Sequence, residues 1–118
     1  MNKLYLSMIF CAAMLFAGCQ TTVAPGADPV VVHAEQTLAL ARHALDAFVQ
    51  YDHTHRAAVP KEVHAFAEAV RREAPPKFRA ALAILDAYQA NRSPENRATL
   101  ETYVAALAAL AAQADASH

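Results

Sequence analysis

Glycine is nearly absent from this chain, and the two that occur, Gly18 and Gly26, both precede residue 28. No glycine-rich loop exists beyond that point to cradle a phosphate, which excludes the common nucleotide-binding motifs. Cysteine stops even earlier, at Cys11 and Cys19. Everything downstream therefore lacks a thiol for a disulfide, for thiolate ligation of a metal, or for nucleophilic attack. Excess charge of either sign is missing too: ten Lys and Arg stand against eleven Asp and Glu. The basic residues are interleaved with acidic ones and build no cationic face, which excludes a nucleic-acid partner. The longest apolar run, Leu4 to Phe16, falls short of the roughly 20 residues that span a bilayer.

That run has a different use. Lys3 supplies a positive start, Leu4 to Phe16 an apolar stretch of secretory length, and Phe16-Ala17-Gly18-Cys19 ends it on small residues and a cysteine. This arrangement resembles the lipobox signal of bacterial lipoproteins. It departs from the pattern at one place, because the position three before the cysteine usually holds Leu and here holds Phe16. The resemblance implies cleavage between Gly18 and Cys19, diacylglyceryl on the Cys19 thiol, and acylation of the freed amine. Acyl chains on Cys19 would then tie the protein to a membrane, two or more sufficing for stable anchoring. Gln20 in place of Asp implies, by the Gram-negative sorting rule, the outer membrane with the domain facing the periplasm. The other reading is an ordinary secretory signal cut after Ala17 or Gly18, which would leave Cys19 as a free thiol.

The expected organisation is a signal peptide over 1–18, a lipidated cysteine and flexible tether over 19–27, and one alanine-rich helical domain over 28–118. Without Lys3 the mature chain carries nine basic and eleven acidic residues, a net charge of −2. The tether, Gln-Thr-Thr-Val-Ala-Pro-Gly-Ala after Cys19, has no hydrophobic period and reaches about 25 Å at full extension. About 100 residues remain, enough for one domain of modest core.

From Asp28 on, the apolar spacing is helical. Asp28 suits a cap and Pro29 a first turn, and Val31, Leu38 and Leu45 then recur every seven residues with Ala34, Ala41 and Phe48 between them. A second helical arm over residues 60–91 is interrupted by Pro75-Pro76, yet Phe78, Leu82, Leu85 and Tyr88 resume the spacing at once. This predicts one long helix with a proline kink. Ser93-Pro94-Glu95 opens a third helix, which carries Leu100, Tyr103, Val104, Leu107 and Leu110. The fold class is all-α: an up-down-up three-helix bundle with a proline-kinked middle helix, after an N-terminal signal helix. About a quarter of the residues are alanine, which favours helix and close approach of the axes over an internal cavity.

Two features are left over for function. Leu40, Ala44, Ala47 and Tyr51 form a second apolar row beside the main stripe of the first helix. It serves either packing against two neighbouring helices or docking of a partner, another envelope protein or a second copy. Asp52, His53, His55 and His64 bring imidazole and carboxylate groups together of the kind that bind zinc, copper or nickel. His53 and His55 are not an i, i+4 pair, so solvated surface histidines are the competing reading. No nucleophile, base or paired carboxylate in an apolar run suggests catalysis, and no cofactor is implied. The leading expectation is a small membrane-anchored envelope lipoprotein with a non-catalytic helical interaction domain. A periplasmic metal-binding lipoprotein using the Asp52 to His64 region is the alternative. A phage-type lysis lipoprotein of the spanin kind ranks below both, since those chains are typically short and proline-rich.

Overall fold

The computed structural model describes residues 26–118; the expected signal segment, Cys19 and most of the tether lie outside the described residues. Three helices follow a turn at Gly26: α1 (Pro29–Thr54), α2 (Lys61–Ala90) and α3 (Pro94–Ala116). No strand occurs among the described residues. Each helix contacts both others, which makes a three-helix bundle in which α2 runs antiparallel to its two neighbours. Gly26 has a φ of +85°, a left-handed conformation that glycine takes without a Cβ penalty.

The helix starts are chemically determined. Asp28 Oδ1 accepts from the Val30 N–H at 2.9 Å and Pro29 fills the first turn, where its missing N–H costs nothing. Ser93 Oγ accepts from the Asn96 N–H at 3.1 Å, with Pro94 and Glu95 after it. The tight turn between α2 and α3 is tied by Asn96, whose Nδ2 donates to the Asn91 carbonyl at 2.8 Å. By contrast, Pro60 precedes α2 with no side-chain cap. The helix α2 continues without interruption through Pro75 and Pro76, as the resumed spacing predicts. Both prolines face solvent, where water can satisfy the carbonyls of Arg71 and Arg72 that lose their helical donors.

Packing follows a seven-residue period. On α1 the buried positions are Val31, Ala34, Leu38, Ala41, Leu45, Phe48 and Asp52, alternating steps of three and four. On α3 they are Leu100, Val104, Leu107, Ala111 and Ala114. Such a stripe keeps one narrow seam turned toward the other helices along the whole length. Seven of the eighteen buried apolar residues are alanine, so close helix approach supplies much of the contact and a few large side chains fill the centre. Phe48, Leu45, Leu100 and Leu107 are the largest that are fully buried. Two open grooves of about 530 and 550 Å³ run along the α1/α2 and α1/α3 seams. Among the described residues no helix is long and apolar enough to cross a membrane.

Candidate functional site

The most unusual residue in the core is Asp52. It occupies the next seven-residue step after Val31, Leu38 and Leu45, where the stripe calls for an apolar side chain, and only 3% of it is exposed. A carboxylate in such a place needs a compensating donor or cation. His64 provides it from the first turn of α2: its Nδ1 donates to Asp52 at 3.0 Å from Oδ1 and 2.9 Å from Oδ2. The contact closes the loop between α1 and α2, which is otherwise held by Ala58 and Val59 N–H groups donating to the His55 carbonyl.

Glu68 completes the group. It lies one turn beyond His64 on the same face of α2, and ligand atoms of Asp52, His64 and Glu68 all fall within 4.8 Å of one another. His64 is 36% exposed and Glu68 35%, so the group opens to solvent on the side opposite Asp52. Arg56, from the loop, sits 3.8 Å from Glu68, and Arg71 pairs with the same carboxylate. No buried side-chain nitrogen or oxygen among the described residues lacks a hydrogen-bond partner.

Of the four residues that the sequence marks as metal candidates, Asp52 and His64 are brought together and His53 and His55 are not. His53 points to solvent. His55 donates through Nδ1 to the Tyr51 carbonyl at 3.0 Å and stacks on the Tyr51 ring, with centroids 4.4 Å apart. His53 leaves the face of Asp52 because each helical residue turns about 100° from the last, and His55, the residue that ends α1, is drawn to Tyr51. Glu68 was missed in the sequence, although its i, i+4 relation to His64 is the signal that identifies it. His118 was missed as well; its ring packs on Phe48 and Tyr51 at 5.5 and 5.0 Å.

The second apolar row of α1 divides. Ala44 is half-buried against the core, whereas Leu40, Ala47 and Tyr51 are exposed, Leu40 to 72%. Packing against α2 and α3 therefore consumes one residue of the four. Leu82 on α2 and Tyr103 on α3 also stand exposed.

At the opposite end of the bundle Asp28 is clasped by three partners. Besides the Val30 N–H, its Oδ2 accepts from the Tyr88 hydroxyl at 3.0 Å and lies 3.4 Å from the Arg92 guanidinium. The Val30 N–H, then Tyr88 and Arg92, hold the Asp28 carboxyl below the ordinary carboxylate range against a burial effect in the other direction. Burial, and then the bond to Asp28, push the Tyr88 hydroxyl above its ordinary range.

Comparison with protein families, curated proteins and solved structures gives no match for this chain.

Proposed function

We propose that this protein is a small envelope lipoprotein, anchored through acyl chains on Cys19 in the outer membrane and facing the periplasm, whose helical domain docks another envelope protein without catalysing a reaction. The lipobox-like Phe16-Ala17-Gly18-Cys19 supports the anchor. The observation that carries the docking role is the exposure of Leu40, with Ala47 and Tyr51 on the same side of α1, beside a core that is complete without them. An exposed leucine alone means little, but three of the four residues of one helical row stand exposed. The patch lies along α1, the first of the three helices after Gly26.

The test uses photo-crosslinking in intact cells from residue 47, with and without Leu40→Glu in the same full chain. A discrete crosslinked protein, lost on Leu40→Glu while far-UV circular dichroism is unchanged, supports docking. Unchanged crosslinking in the variant overturns it. The anchor has a separate test: Cys19→Ser should block incorporation of a labelled fatty acid and leave the precursor uncut, and labelling that survives the substitution removes the lipoprotein reading.

A further inference from the structure

We infer that Asp52, His64 and Glu68 form a binding site for a first-row transition-metal dication, Zn²⁺ foremost, where α1 hands over to α2. The donor set is one imidazole and two carboxylates drawn from two helices, with an i, i+4 pair on α2 and a buried cross-helix ligand from α1. Imidazole nitrogen selects zinc, copper or nickel over calcium and magnesium, which take oxygen ligands in larger number.

The distances suit the ion. Zinc holds imidazole nitrogen and carboxylate oxygen at about 2.0 to 2.2 Å, so tetrahedral ligands stand roughly 3.4 Å from each other. Asp52 and His64 are already 2.9 Å apart and need to open slightly, while the group as a whole lies within 4.8 Å and needs a small contraction. The half-exposed Glu68 is the side chain free to make that movement. Solvent on the open side supplies the fourth ligand, which leaves three protein ligands and one water.

The local charges decide which state the site prefers. Among the described residues, an imidazole Nδ1–H is the partner that the buried Asp52 carboxylate has. A dication offers that carboxylate a full opposite charge, and with the proton on Nε2 the His64 Nδ1 lone pair turns to the same ion. Glu68 must leave Arg56 and Arg71, and exposed ion pairs of that kind contribute little. The two guanidinium groups remain nearby and repel the ion, so affinity is moderated rather than abolished. The residues that bind differ from those that sequence proximity suggests: His53 and His55 are spectators.

Calorimetric titration of Zn²⁺ into the full chain in non-ionic detergent, purified without a polyhistidine tag, tests the site. The expected result is saturable one-to-one binding and a raised melting temperature. His64→Ala should abolish binding, Glu68→Gln should weaken it by about tenfold or more, and His53→Ala and His55→Ala should leave it unchanged. Glu68 is half-exposed, so its variant folds even if loss of His64 unsettles the loop. Absence of saturable binding overturns the site. So does an isotherm that survives Glu68→Gln unchanged, or one that disappears with His53→Ala. Docking through Leu40 is unaffected by any of these results.

Discussion

At each end of the bundle a carboxylate from α1 meets a side chain of α2, and the two meetings differ in what they can release. Asp28 is held by a backbone N–H, a tyrosine hydroxyl and a guanidinium. The nearby turn between α2 and α3 is short and tied by Ser93 and Asn96. Among the described residues Asp52 has one partner, an imidazole, beside a longer loop that runs from His55 to Pro60, where no side chain caps the helix. The first end is a clasp in which the Asp28 carboxyl is held below its ordinary range and the Tyr88 hydroxyl above its own. The second places a histidine and one carboxylate, Glu68, paired with two arginines, beside a buried charge. The end near Gly26 is thus closed by three partners, and the far end carries the group proposed above as a metal site.

The largest effect expected from any single change is at the core beneath the far end. Phe48 is fully buried and its ring meets Phe66 at 5.3 Å and His118 at 5.5 Å. Phe48→Ala should cost about 3 to 5 kcal/mol, measured by urea unfolding. Val31, in the neighbouring row of the stripe and near the clasp, is smaller and less enclosed, so Val31→Ala should cost distinctly less. Equal losses at the two sites would mean that the far end draws no special support from its aromatic packing.

Next in size is the bond to Asp52. His64→Ala leaves a buried carboxylate with no donor, and the unfolding free energy should fall by about 1 to 3 kcal/mol. His53→Ala, one residue from Asp52 but exposed, should change it by less than about 0.5 kcal/mol. The contrast between an adjacent histidine and one twelve residues from Asp52 would show that the cross-helix bond of His64, and not closeness in sequence, organises the far end. At the clasp, Ser93→Ala removes the cap of α3 and should cost about 0.5 to 2 kcal/mol, seen as a lower urea midpoint with an unchanged slope.

These two ends were not equally legible from sequence. Asp28-Pro29 and Ser93-Pro94-Glu95 announce helix starts because caps act over two or three residues, within reach of local inspection. The core stripe was legible for the same reason, since a seven-residue repeat of Val31, Leu38 and Leu45 is a short-range pattern. The passage of α2 through Pro75-Pro76 was legible only because Phe78 and Leu82 keep the helical phase. Asp52 was marked for its chemistry, while its burial followed from the next step of the repeat, a step that an acidic residue conceals. Its pairing with His64 needed the closure of the loop, and Glu68 needed a choice of which face of α2 turns inward. Tyr88 reaching Asp28 across the bundle has no local signal at all; sixty residues separate them.

The smallest expected effect is a difference in acid sensitivity between the ends, set by Asp28. Its carboxyl is held below the ordinary value first by the Val30 N–H and then by Tyr88 and Arg92, against burial. The folded state therefore binds a proton at this site less readily than the unfolded chain, whose carboxyl titrates near pH 3.9. The resulting stabilisation is complete above that unfolded value and is lost as pH falls through the lower folded value. Asp28→Asn keeps the oxygen that accepts from the Val30 N–H but puts an amide NH2, a donor, where Oδ2 accepts from Tyr88, and it removes the charge opposite Arg92. The variant should melt below the parent at neutral pH, and the gap should narrow as pH is lowered from about 4 toward 2, where the parent carboxyl becomes neutral too. Water at the surface of the bundle screens this pair, which keeps the effect small. A gap that stays constant to the acid end of the range would show that Asp28 acts as a neutral cap, and the clasp would then owe its strength to hydrogen bonding without charge.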